Sequence, residues 1–261
     1  MTAEDILRSV GFDRYDLNAR LKPGLIVLLP IFATVAFWVP QVRTGLGATA
    51  SLLSACGLLY LLSQTVRAAG RAAERRMGDK AGRKHSARLL THADSVIAPE
   101  TKARYHAYLR SHGHLISTPD EERTSPETAF SRAGSAIDWL LEHTRAEGKK
   151  TLLYGELISY GFQRNLYGMK PVALAFAVLA LAVNGALLWK RPLDEAAIWT
   201  GILLEAGLVA LIVWLALFVT KTSVTDASFA YAQQLFNLCE IEAPMGAKRS
   251  RAKVVSPVAD K

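Results

Sequence analysis

Two cysteines are all the chain offers in 261 residues. Cys56 falls in an apolar run and Cys239 in a helical pattern, so a disulfide scaffold is excluded and a reducing compartment fits. Missing too is any run of alternating polar and apolar residues, the mark of a half-buried strand, and the expected fold class is all-α. No nucleophile stands beside a base, no acids pair for hydrolysis, and no set of metal ligands recurs at helical spacing. Enzyme activity, a cofactor and a metal are therefore not expected. Gly148-Lys149-Lys150-Thr151 is no phosphate loop, because His143 stands where that motif needs its first glycine. Gly45-Leu46-Gly47 opens an apolar run and so is no dinucleotide fingerprint. His106, His112 and His114 lack an acidic or cysteine partner, and a solvated loop outweighs a metal site there. No basic segment followed by a short apolar core opens the chain, so no secretory leader is expected.

What the chain does have is long apolar runs. Val172 to Trp189 is apolar apart from Asn184, and Ala196 to Val219 apart from Thr200 and Glu205. At about 1.5 Å per residue they reach roughly 27 and 36 Å, against a hydrocarbon core of roughly 30 Å. The segment between them, Lys190 to Glu195, is too polar for lipid, so they read as a membrane hairpin. Gly24 to Val42, with Pro30 inside it, and Gly45 to Leu62 read as a second hairpin. On the latter span Gly47, Ser51 and Ala55 recur every four residues, a face that admits close helix packing.

The expectation is an integral membrane protein of four spans in two hairpins, with an inserted helical domain. Its segments are an N-terminal stretch 1–22, hairpin 23–66, sensor domain 67–170, hairpin 171–220, a helix 221–244 and a disordered basic tail 245–261. Within 67–170, 18 Lys and Arg face 12 Asp and Glu. Arg20, Lys22, Arg67, Arg71, Arg75, Arg76, Arg164, Lys170 and Lys221 all flank the spans on one side. The positive-inside rule then places both termini and the domain in the cytoplasm. In the domain, Pro99-Glu100 opens a helix over 99–112 and Ser125-Pro126-Glu127 one over 126–146. Another runs from Leu152 to about Tyr160, and Gly78 to Gly82 reads as a linker. Thr2 and Asp5 resemble a capping box at the start of the chain.

Three constellations carry possible function. A carboxylate within lipid depth costs about 2.5–3.5 kcal/mol on insertion scales, so Glu205 needs a reason. Either Glu205, Asn184, Thr200 and Gly201 line a water-filled path through an oligomer, or Glu205 is protonated and bonded within the bundle to Asn184 or Thr200. Arg67, Arg71, Arg75, Arg76, Lys80, Arg83, Lys84 and Arg88 place eight positive charges in 22 residues. They read as a collar for anionic membrane lipid or as a site for a nucleotide or oligonucleotide. Arg164, Asn165 and Lys170, bracketed by Gly161 and Gly168, sit before the third span. They read as an elbow that transmits movement to the gate, or as a fixed one with arginine capping carbonyls.

Two stretches carry a resemblance. Tyr15-Asp16-Leu17-Asn18-Ala19-Arg20-Leu21-Lys22-Pro23 runs into the first span. Tyr160-Gly161-Phe162-Gln163-Arg164-Asn165-Leu166-Tyr167-Gly168-Met169-Lys170-Pro171 runs into the third. With the four-span layout, they resemble the channel effectors of Hailong-type bacterial anti-phage defence, small membrane proteins encoded beside a nucleotidyltransferase. The resemblance implies a homotetrameric channel in the inner membrane, held closed by short DNA oligomers that the partner nucleotidyltransferase makes. Loss of the oligomer during infection would open the pore and arrest or kill the cell. The resemblance does not say which residues bind. Beside this ligand-gated channel stand a non-conducting membrane scaffold for a cytoplasmic partner and a small-molecule transporter. The transporter is disfavoured because the two hairpins show no sequence repeat.

Overall fold

The computed structural model describes residues 12–39, 48–77, 81–144 and 152–254; for 48–56, 81–85 and 241–254 it describes the backbone alone. The expected capping box at Thr2 and Asp5, the small-residue face at Gly47, Ser51 and Ala55, Cys56 and Lys80 lie outside what is described. Every regular element among the described residues is a helix. A π-helix over Asp16–Leu21 continues directly into α1, Lys22–Trp38. There follow α2 (Ala48–Arg76), α3 (Ala81–Leu90), α4 (Pro99–Ser111), α5 (Pro119–Thr124), α6 (Pro126–Thr144), α7 (Leu152–Lys190), α8 (Glu195–Phe218) and α9 (Lys221–Val254).

Three of these, Asp16–Trp38, Leu152–Lys190 and Glu195–Phe218, are long and apolar enough to cross a membrane. They mark a membrane protein. Residues 48–62 of the second expected span lie on α2, which runs on past Leu62 to Arg76 and is not among these three. The chain divides into two compact units, Met1–Gly78 with Ile158–Val224, and Asp79–Leu157 with Thr225–Lys261.

In the first unit Val27, Val66, Leu166, Met169, Ala173, Leu215 and Val219 from α1, α2, α7 and the end of α8 form one core. The outward faces stay apolar: Leu29, Phe32, Leu203, Leu217 and Phe218 are exposed. Burying them in lipid is what such a surface requires, since water would leave a large apolar patch uncovered. Trp189 and Trp199, both exposed at the hairpin end, match the aromatic enrichment of membrane interfaces.

The second unit has a core of bulky apolar side chains. Leu89, Leu90, Tyr105, Leu109, Ile137, Leu140, Leu235 and Phe236 meet there, with Tyr105 stacked on Phe236 at 5.6 Å between centroids. The C-terminal helix packs in this core through Ala232, Leu235, Phe236 and Cys239. Local starts and stops follow sequence chemistry. Pro99 and Pro119 open their helices, where a missing N–H costs nothing. Thr118 and Glu121 form a reciprocal capping box. Gly113, at φ +85°, ends α4 in a backbone region that side chains disfavour.

Three boundary expectations are corrected. Residues 81–82 begin a helix rather than closing a linker. The helical backbone of α9 reaches Val254, nine residues beyond Met245, the expected start of a disordered tail. The segment before the third span is no elbow, because α7 is one continuous helix of 39 residues through Gly161, Gly168 and Pro171.

Candidate functional site

The glycines of α7 serve contact rather than bending. A Cβ on Gly168 would sit 2.5 Å from the Ala69 carbonyl oxygen, and one on Gly161 2.7 Å from the Tyr15 hydroxyl. On the facing helix, a Cβ on Gly70 would collide with the Asn165 side chain. Helix backbones meet here at the closest possible range, as small residues permit between membrane helices. Asn165, fully buried, donates from Nδ2 to the Ala19 carbonyl at 2.6 Å. Arg164 pairs with Glu74 at 3.3 Å and lies 5.5 Å over the Tyr160 ring, whose hydroxyl donates to the same carboxylate at 2.9 Å. Lys170 donates to the Ala216 and Val219 carbonyls at 3.1 and 2.9 Å, where the last turn of α8 leaves acceptors free. The three residues of the expected elbow are thus three clamps: one on the π-helix, one on α2 and one on α8.

The expected lining residues separate into two groups. Asn184 is fully buried, accepting from Trp38 Nε1 at 2.8 Å and donating to the Gly201 carbonyl at 3.1 Å. Gly201 is buried against Leu188. Ala173, Ala177 and Ala180 are buried on the same face of α7. The small faces of α7 and α8 therefore form a packing seam within the chain, and Asn184 and Gly201 line no open path there. Thr200 is exposed and spends its hydroxyl on the Ala196 carbonyl of its own helix. Glu205 differs. It is half-buried at the edge of the seam, with one carboxylate oxygen 3.0 Å from where a Cβ on Gly185 would lie. Among the described residues no donor meets it.

The basic run is divided between the two units. Arg71, Arg75 and Arg76 are exposed on the last turns of α2. Arg88 is paired with Asp94 at 3.2 Å and lies 5.8 Å over Phe229, so its charge is engaged. Arg83 and Lys84 fall on α3, whose first residues are described in backbone only. Arg88 and the α2 arginines belong to different units.

Sequence reasoning missed the polar centre of the second unit. Buried Glu122 accepts from the His92 and Ala93 N–H groups at 2.7 and 2.9 Å. Buried Lys102 donates to the Thr91 carbonyl at 2.6 Å and to that of Asp94. Burial holds its ammonium below the usual lysine range, with Asp94 and Glu122 opposing. His106 donates to the Leu90 carbonyl at 2.7 Å, and burial pushes it down to about 4, so it is neutral. Lys102 and His106 border a cavity of about 540 Å³ that His92, Arg110 and Thr118 also line. His112, His114 and His143 gather around Trp139, with centroids 5.1, 4.6 and 4.8 Å from it. Among the described residues no group of three ligating side chains forms a metal site.

No protein-family model matches the chain, and neither a curated protein nor a solved structure is similar to it.

Proposed function

We propose that this chain is the protomer of an oligomeric ion channel in a bacterial inner membrane, with both termini and the helical domain in the cytoplasm. A phosphate-bearing ligand on that domain gates it. The observation that carries this reading is Glu205: a half-exposed carboxylate on an apolar helix, met by no donor from the described residues of its own chain. A lone carboxylate is costly in lipid and tolerable beside water or a second copy. Several copies arranged as a ring would enclose water and give a ring of acids, which favours cations.

The exposed Arg71, Arg75 and Arg76 supply positive charge for the ligand, a nucleotide or short DNA oligomer. The resemblance to Hailong-type effectors extends this to a tetramer, held closed by an oligomer from a partner nucleotidyltransferase and opened in anti-phage defence. A ligand shifts the gate only by its differential affinity for the two states. The second reading, a non-conducting scaffold for a cytoplasmic partner, draws on the sealed Asn184–Gly201 seam.

Purified protein in a planar bilayer separates the two. The channel requires discrete conductance that changes on adding a DNA oligomer, and cation selectivity that falls in Glu205→Gln. Silence with and without oligomer favours the scaffold.

A further inference from the structure

At the cytoplasmic end of the first unit, four guanidinium groups and two carboxylates share one region. Both acids are already taken. Asp16 pairs with Arg20 across one turn of the π-helix, and Glu74 pairs with Arg164. Arg20 also lies 5.2 Å over the Tyr15 ring, leaving its Nε without a partner. Arg67 and Arg71, four residues apart on α2 and so on one face, pair with no carboxylate among the described residues.

Arg67 is half-buried and stands close enough to Arg20 and Arg71 to be repelled by both. Burial and these two like charges lower its pKa, with Tyr15 and Asp16 opposing. Gathering like charges while partly stripping them of water is unfavourable unless an anion joins them.

The level of the cluster says which anion. Arg20 stands two residues before Lys22, where α1 begins, and Arg67 stands five residues past the apolar run ending at Leu62. The same helices carry exposed Leu25, Leu29, Leu58 and Leu61 on the membrane side. Groups at that level meet phosphodiesters at the surface of the bilayer.

We infer that Arg20, Arg67 and Arg71 form a seat for a phosphate group at the membrane surface, filled by the headgroup of an anionic phospholipid. Arg67 contacts the phosphate from the partly desolvated side, Arg71 from the solvent side, and Asp16 holds Arg20 in place. The seat shares Arg71 with the ligand site proposed above, is centred instead on Arg67 and Arg20, and does not depend on the channel reading.

The test uses the full chain in a neutral detergent at fixed ionic strength. Retention of phosphatidylglycerol and of phosphatidylcholine is read by native mass spectrometry. Thermal unfolding is followed with each lipid and with inorganic phosphate. Preferential retention of phosphatidylglycerol is expected, weakened about fivefold in Arg67→Gln and less in Arg71→Gln, with no response to inorganic phosphate. Stabilisation by inorganic phosphate that is also lost in Arg67→Gln supports the seat and assigns it to free phosphate. Equal retention of the two lipids, or an unchanged preference in both variants, overturns it. If Arg67→Gln does not fold, Arg71→Gln decides alone, because Arg71 is exposed and its removal leaves no cavity.

Discussion

The two units solve one packing problem in two ways. The first has apolar residues inside and out, so apolarity cannot tell its helices where to meet. It relies on close backbone approach at Gly70 and Gly168 and on single polar locks at Asn165, Lys170 and Asn184. The second draws its cohesion from a bulky core, Phe236, Leu109 and Ile137 among others. Its buried charges, Glu122 and Lys102, hold one loop, residues 91–97, by its backbone. In lipid, shape and polar contact specify packing; in water, burial drives it and polar pins refine it.

The largest effect that bears on this contrast is expected from Gly168→Leu. Its Cβ meets backbone atoms of Ala69 at 2.5 and 2.6 Å, which cannot step aside. A loss above about 4 kcal/mol is expected, seen as lost amide protection over 158–190 with 99–144 still protected. An unchanged melting temperature would show that the helices do not cross there.

Acidification is expected to weaken the second unit next. His106, at about 4 in the fold against 6.5 for a free imidazole, must take up a proton on unfolding. Its contribution is complete above pH 6.5 and falls away as pH drops towards 4, by about 3 kcal/mol at most. Melting of the full chain between pH 7 and 4 measures it, and His106→Gln should flatten the profile.

Glu122→Ala removes the buried carboxylate that accepts from the His92 and Ala93 N–H groups. About 2 kcal/mol is expected, with faster amide exchange at His92 and Ala93. Trp38→Phe removes one bond to Asn184 and should cost about 1 kcal/mol in detergent melts. The smallest effect has the opposite sign. Gly134 on α6 has open space where a Cβ would go, so Gly134→Ala should stabilise by roughly 0.5–1 kcal/mol. The same substitution at Gly168 should not.

The sequence made some of this legible. The polar break at Lys190 to Glu195 marked the hairpin, and Asp194 caps α8 through the Ala197 N–H at 2.9 Å. Pro99 and Pro126 marked true helix starts because proline acts locally. Gly161 and Gly168 misled because a glycine reads as freedom to bend, and only the neighbouring helix reveals it as room for a backbone. Asn184 was noticed as polar, but whether it faces water or Gly201 depends on how α8 is rotated, which periodicity alone does not set. Nothing in the neighbouring sequence sets Glu122 and Lys102 apart from surface charges. Their burial depends on a loop folding over them, a long-range event that no local pattern announces. The π-helix is likewise invisible, its register being fixed by the helices it touches.

The α7–α8 hairpin is fastened at both extremities, by Lys170 at one and Asn184 at the other. Those residues are 14 apart, about 21 Å along the helix. A beam riveted at two points along its length resists shear, so these helices translate or tilt as one piece and do not slide past each other. Between Phe218 and Lys221 the helical run stops, and Thr220 and Ser223 hold the chain there through a hydroxyl contact at 2.9 Å.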